Sequence, residues 1–288
     1  MQKYTIRDFE REFPDDDVCL EWLKNHLFPN GIFCKNCQRI TKHHRMSSRR
    51  SYSCDHCGNH VHPTAGTIYH KSSTPLRLWF YAIYLMASTR CGIAAKQLQR
   101  ELGVTYKTAW RMFSQIRKML AEDRGPFSGE IEVDETYVGG RRSGGKRGRG
   151  APGKTIVAGV AQRGSAMAGH VVPNVRKATM EPVIEATVAK GATVYTDELA
   201  SYNGLVAKGY EHAAVNHGAR VYAEGRAHTN TVEGFWSLLK GGLRGVYRSV
   251  SPKYLQSYVD EYAFRYSHRK DSDPMFMTFL RQARPLYG

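Results

Sequence analysis

The chain has 288 residues, 41% of them hydrophobic and 11% aromatic, which is enough for two or three domains and excludes a disordered or fibrous protein. Forty-two Lys and Arg against 26 Asp and Glu leave a formal charge of +16, favouring a polyanionic partner over a small neutral substrate. Both halves share the excess, so it is not a single basic tail.

The opening MQKYTIRDFEREFPDDD has no apolar core of the signal-peptide kind, and no later stretch approaches the roughly 20 apolar residues that span a bilayer. A cytoplasmic protein with no membrane partner is expected. Up to about residue 28, Phe9, Phe13, Leu20, Leu23 and Leu27 alternate with charges and predict a short helical lead-in.

From Gly31 to about Ser72 the composition shifts to Cys, His, Arg and Gly, and the strand-like pieces are too short to build a core without a staple. Cys34 and Cys37, then Cys54 and Cys57, form two CxxC pairs separated by sixteen residues, the spacing of a tetrahedral four-thiolate zinc site. Four thiolates close the coordination shell, so the expected Zn2+ is structural. The nearby His43, His44, His56, His60 and His62 are expected to face phosphate or solvent, and Cys19 and Cys91 to be small buried hydrophobes.

From Pro75 the apolar spacing is helical through Leu76, Trp79, Phe80, Ile83 and Tyr84, and it resumes after Gly92 and after Gly103. The last two segments have helix-turn-helix grammar: Gly103 makes the turn and Thr105 caps a second helix carrying Lys107, Arg111, Arg117 and Lys118. Tyr106, Lys107 and Arg111 are the DNA-contact candidates, while Trp110, Phe113, Ile116 and Leu120 form the core stripe.

Pro126 marks a boundary, after which GEIEVDETYVGG, TIVAGVAQRG, SAMAGHVVPNV and ATVYTDE read as strands. Helices are expected from near Glu181-Pro182, with the proline in the first turn, from near Thr229, and from Ser251-Pro252. Between the first two strands, RRSGGKRGRGAPGK cannot pack a core. Its Arg141, Arg142, Lys146, Arg147 and Arg149 are expected to settle on DNA backbone and steepen the salt dependence of binding.

Two aspartates belong to strands: Asp134 lies within EIEVDETYVGG, and Asp197 ends a second strand in TVYTDELASY. Such carboxylates are costly unless paired, hydrogen-bonded or metal-bound. In the helix expected from Asn230, Val232, Phe235, Trp236, Leu239 and Leu243 make the core stripe, and Asn230, Glu233, Ser237 and Lys240 cluster opposite. Three carboxylates from two strands and a helix suit two divalent cations that clamp a phosphodiester, Mg2+ being well matched to oxygen ligands. Glu135 is expected on the opposite sheet face, outside the metal shell, and Asp260 and Glu261 on a helix surface. His228, just before the helix, could orient water, touch a phosphate or be an ordinary helix-entry residue.

Taken together, the two CxxC knuckles, TAGTIYHKSSTPLRLWFYAIYLM, AAKQLQRELGVTYKTAWRM, EVDETYVGG, VYTDELASYNGL and HTNTVEGFWSLLKGGLRGVYRSVSPKYL resemble the bacterial insertion-sequence transposases with an N-terminal zinc ribbon and a DDE catalytic domain. The resemblance covers nearly the whole chain. It implies a multidomain α/β protein: a lead-in and zinc ribbon over 1–72, a helix-turn-helix-like DNA-binding domain over 73–125, and an RNase H-like catalytic domain over 126–288 with a mixed sheet and flanking helices.

The resemblance maps the triad onto Asp134, Asp197 and Glu233, holding two Mg2+ or Mn2+ ions, with 35 residues between the last two. Asn230 and Lys240 are secondary candidates, because related families place Asn at the third position and a Lys further along the helix. The implied reaction is hydrolysis of a phosphodiester at the element's end, followed by attack of the freed 3′-OH on target DNA. The implied partners are double-stranded element ends and target, with a homodimer or higher oligomer on DNA. Two alternatives are a non-enzymatic zinc and helix-turn-helix DNA-binding protein with a degenerate RNase H-like domain, and a nuclease or resolvase without strand transfer.

Overall fold

Thr5 starts the first helix with a reciprocal capping box, its hydroxyl accepting from the Asp8 N–H while the Asp8 carboxylate accepts from the Thr5 N–H. The computed structural model describes residues 3–122, 124–139, 153–214 and 228–285. They fall into two units, Met1–Met119 with Asp271–Gly288, and Leu120–Lys270.

In the first unit, α1 (Ile6–Glu12) and α2 (Asp16–Leu27) realise the expected lead-in. Phe9, Phe13, Leu20 and Leu23 are buried. Short strands follow: β1 (Phe33–Cys34) pairs with β2 (Arg39–Ile40), and β4 (Ser51–Cys54) lies between β3 (His43–Met46) and β5 (His60–Val61). Three helices complete the order: α3 (Leu76–Ser88), α4 (Ala95–Leu102) and α5 (Tyr106–Met119). Gly103 ends α4 at φ +63, a left-handed position that glycine adopts without a Cβ penalty. The segment after residue 270, assigned from sequence to the catalytic domain, instead joins this unit: Phe276 of the C-terminal helix Met275–Leu280 packs its ring on Phe9 and Phe13.

The second unit is built on β6 (Glu130–Gly139), β7 (Lys154–Gln162), β8 (Met167–Val172), β9 (Thr193–Thr196) and β10 (Glu211–Ala214), with α6 (Lys177–Thr187) between β8 and β9. The strand order is β10-β9-β6-β7-β8; β6, β7 and β8 run antiparallel, while β9 is parallel to both β6 and β10. This mixed order, with α7 (Asn230–Gly245) and α8 (Pro252–Ser267) following in the chain, is the RNase H-like arrangement. One apolar layer joins Ile131, Val133 and Val160 of the sheet to Met180 and Ile184 of α6.

Two boundaries differ from the sequence expectation. α6 begins at Lys177, so Pro182 lies inside the helix and not in its first turn; apolar packing of Met180 and Ile184 on the sheet holds the helix through the missing N–H. β10 was not foreseen, because EHAA lacks β-branched residues and its pairing with β9 supplies the strand.

On the outer strand β8, α8 side chains stand where another strand would. Gln256 accepts from the Val171 N–H at 2.7 Å and donates to the Gly169 carbonyl at 2.8 Å, and Ser267 accepts from the Met167 N–H at 3.0 Å. Gly169 permits this approach, since a Cβ there would lie 2.4 Å from Val259.

Candidate functional site

The parallel register of β6 and β9 pairs Glu132 with Tyr195, and two residues further on Asp134, still on β6, and Asp197, just past the end of β9, come close together. Asp197 is 8% exposed, and one oxygen each of Asp134, Glu135 and Asp197 lie within 4.8 Å of one another. Of the three carboxylates expected from sequence, the structure brings Asp134 and Asp197 together. Glu135 does point toward the α6 side, where Tyr202 O–H donates to it at 3.2 Å, yet its carboxylate still reaches the cluster, correcting the expectation that it stands apart.

Burial raises the Asp134 carboxyl to about 6; the charges of Asp197 and Glu233 push the same way, and the Trp236 N–H opposes them. Trp236 donates to Asp134 Oδ2 at 2.9 Å. The indole fits there because residue 159, paired with Asp134 across β6 and β7, is glycine: a Cβ at Gly159 would lie 2.5 Å from the ring.

Glu233 sits in the first turn of α7, exposed, with its Oε1 accepting from Thr229 Oγ1 at 2.9 Å. Its charge acts on Asp134, but it is not a member of the close cluster. Asn230 and Ser237 are exposed on the same helix, and Lys240 is half-buried near Asp134; burial first, then Arg244, lowers the Lys240 ammonium, while Asp134 pulls it up. Val232, Phe235, Trp236, Leu239 and Leu243 are buried as their spacing predicted.

His228 is not in the carboxylate cluster. Its Nδ1 lies 3.1 Å from Glu132, and its carbonyl accepts from Arg163 at 3.0 Å. Glu132 and Trp236 are residues that sequence reasoning missed: one lies in the strand EIEVDETYVGG with nothing to single it out and the other reads as core, and neither local pattern encodes a partner about a hundred positions away. Asp260 and Glu261, expected on the surface, are not there: Glu261 is fully buried, with Arg265 2.7 Å away, and Asp260 is half-buried, accepting from Gln256 at 2.7 Å.

In the first unit, the sulfurs of Cys34, Cys37, Cys54 and Cys57 all lie within 4.8 Å of one another, a donor set that fits zinc. No histidine among the described residues joins that group. His44 instead meets Asp55 at 2.7 Å. Cys19 is buried as expected, but Cys91 is exposed, because it falls in the turn after α3 and not on an apolar stripe.

On α5, Thr105 accepts from the Thr108 N–H at 3.3 Å, and Tyr106, Lys107 and Arg111 are exposed. Arg111 also donates to the His70 carbonyl at 2.9 Å. Arg117 is buried, its guanidinium 3.5 Å from the Phe113 ring centre, and so cannot join a DNA-facing stripe. Arg141, Arg142, Lys146, Arg147 and Arg149 lie outside the described residues. No helix among the described residues is long and apolar enough to cross a membrane.

Residues 126–267 match the ISXO2-like transposase domain and residues 14–60 the transposase zinc-ribbon domain. An uncharacterised protein in transposable element ISH50 of Halobacterium salinarum is 30% identical over 276 residues, covering 88% of this chain and 92% of that protein. An uncharacterised transposase-like protein of Haemophilus influenzae is 31% identical over 98 residues, 34% of this chain and 78% of its own length. A crystal structure of a pre-cleavage Mos1 transpososome aligns over 67% of this chain and 75% of that chain at 11% identity and a TM-score of 0.30, too slight a likeness to bear on the function. With matched zinc-ribbon and transposase-domain segments and a relative that aligns nearly end to end, the chain belongs to the insertion-sequence transposases that carry an N-terminal zinc ribbon and an ISXO2-like DDE domain.

Proposed function

We propose that this transposase binds the ends of its insertion sequence, hydrolyses phosphodiesters there and joins the freed 3′-OH ends to target DNA. The observation that carries the reading is the meeting of Asp134 and Asp197, brought from separate strands to within a shared ion's reach beside α7. Carboxylates so close, one of them pushed up to about 6 by burial and like charge, form a hard-oxygen donor set suited to Mg2+ or Mn2+.

Asp134 and Asp197 would hold the metal, with Glu233 as third ligand and Glu135 as the competing third carboxylate. A bound ion pair supplies positive charge for the attacking and leaving oxygens of a phosphodiester. Trp236 fixes one oxygen of Asp134, leaving the other for coordination. Lys240 and Asn230 line the same helix and would orient the scissile strand's phosphate and sugar. Tyr106, Lys107 and Arg111 would read the element's end, Arg141, Arg142, Lys146, Arg147 and Arg149 would hold backbone phosphates, and the four cysteines would bind one structural zinc. Joining two ends calls for at least a homodimer on DNA, in the cytoplasm at the nucleoid.

The test is Mg2+-dependent nicking and joining of supercoiled DNA bearing the element's ends. Asp134→Asn and Asp197→Asn should abolish both reactions while end binding survives, and full activity in either variant rejects the site. Glu233→Gln against Glu135→Gln assigns the third position. Nicking without joined products would instead favour a nuclease or resolvase, and a wild type inert with either ion a DNA-binding protein without catalysis.

A further inference from the structure

The N-terminus of α7 lacks a cap of its own. The Thr229 side chain, in the N-cap position, makes no capping bond and donates instead to Glu233. The orphan N–H groups of Thr231 and Val232 point to Glu132 Oε2, at 2.7 and 3.1 Å, and the Thr231 hydroxyl donates to Glu132 Oε1 at 2.8 Å. A strand carboxylate thus caps a helix about a hundred residues later in the chain.

Glu132 is completely buried and is costly to keep ionised unless fully engaged. Besides the helix N-terminus, with its positive dipole end, it accepts from Arg163 Nε at 2.8 Å. That guanidinium is itself fixed on every side: Nη1 meets Glu130 at 3.1 Å, Nη2 donates to the His228 carbonyl at 3.0 Å, and the plane lies 4.1 Å from the Tyr195 ring centre. Tyr195 O–H in turn donates to Glu130 at 2.9 Å. The anchor therefore ties β6, the turn after β7 and the start of α7 to the Glu132 carboxylate, and reaches β9 through Arg163, Glu130 and Tyr195.

Glu132 and Asp134 are two residues apart on β6 and share a sheet face. On α7, Glu233 directly follows the two capped N–H groups, and Trp236 reaches Asp134 less than one further turn along. We infer that Glu132 is a positioning residue for catalysis, setting the spacing between Asp134 and the α7 face that carries Glu233, Trp236 and Lys240. The inference rests on the metal-site reading above and goes beyond it: a fully buried residue outside the carboxylate cluster, engaged with α7 and Arg163, determines how well the site accepts Mg2+. Its loss acts on metal affinity because ligand groups held by misplaced supports bind metal about 10- to 100-fold more weakly.

The experiment measures, on the full chain, the Mg2+ concentration for half-maximal nicking together with the melting temperature. Glu132→Gln keeps the shape but loses the charge that holds Arg163, and it should raise the Mg2+ requirement about tenfold or more. Thr231→Val removes only the hydroxyl donor, preserves the backbone caps, and should shift it in the same direction by a smaller factor. Glu261→Gln removes another fully buried carboxylate, on α8 beside Arg265, and serves as the stability control: it should lower the melting temperature and leave the Mg2+ requirement unchanged. An unchanged requirement in Glu132→Gln, or equal shifts in Glu132→Gln and Glu261→Gln, overturns the inference. If Glu132→Gln does not fold, Thr231→Val decides alone, with an unchanged requirement overturning it. Retained nicking in Asp134→Asn would instead reject the metal site, so the two failures are distinguishable.

Discussion

The indole N–H of Trp236 is bonded to Asp134 Oδ2 at 2.9 Å, so a residue of the apolar stripe of α7 also holds the central carboxylate of the site. Trp236→Phe keeps the ring packing and removes the donor. Nicking at limiting Mg2+ should fall about 10- to 100-fold and recover partly as Mg2+ is raised. Gly159→Ala should reach the same phenotype by displacing the ring, and should also cost about 1–3 kcal/mol of stability by overpacking, measured by denaturant titration.

Asp260 gives a pH signature separate from catalysis. Burial raises its carboxyl from 3.8 to about 6, against the opposing Gln256 hydrogen bond. The folded state therefore keeps a proton that the unfolded chain releases, so this group's contribution to stability declines as pH rises from about 4 to 6 and its cost is complete above that. Asp260→Asn should stabilise the protein by about 1–2 kcal/mol at pH 7.5 and by nothing near pH 4. Urea titrations at the two pH values check the difference, and equal gains at both would refute it.

Removal of one ribbon thiolate should be felt through folding. Cys37→Ser should reduce bound zinc well below one ion per chain, read with a chromogenic chelator, and weaken binding to the element's ends. Structural zinc sites supply folding energy directly, so chelation of the wild type should have the same effect.

At the start of α5, Lys107 is exposed, and within the proposed contact of this helix start with the element's end its ammonium would take a backbone phosphate. Lys107→Ala should weaken end and non-specific binding alike and lower the slope of log K against log salt by about 1. A loss confined to the specific end sequence would mean that Lys107 reads bases.

The sequence made the zinc cluster and the two aspartates legible because each rests on a local rule: CxxC spacing places thiolates, and a charge inside an apolar strand requires an explanation. The parts it hid depend on register between distant segments. Glu132 and Asp134 alternate along β6 in the same way, and only the docking of α7 gives one to a helix end and the other to the site. Glu135 obeyed the alternation rule, with its carboxylate bonded to Tyr202, and one of its oxygens still lies within 4.8 Å of those of Asp134 and Asp197, which side-chain alternation alone does not reveal. Arg117 and Glu261 were misjudged for a related reason: charge was read as exposure, whereas an aromatic face or a neighbouring guanidinium accommodates each inside.

The amide of Gln256 imitates a peptide group along the border of β8. A strand arriving there from another copy would find its hydrogen-bonding positions already taken, and would have to strip Gln256 and Ser267 away before gaining a single ladder bond. Lateral sheet extension across that border is closed, which guards this edge of the sheet against edge-to-edge pairing.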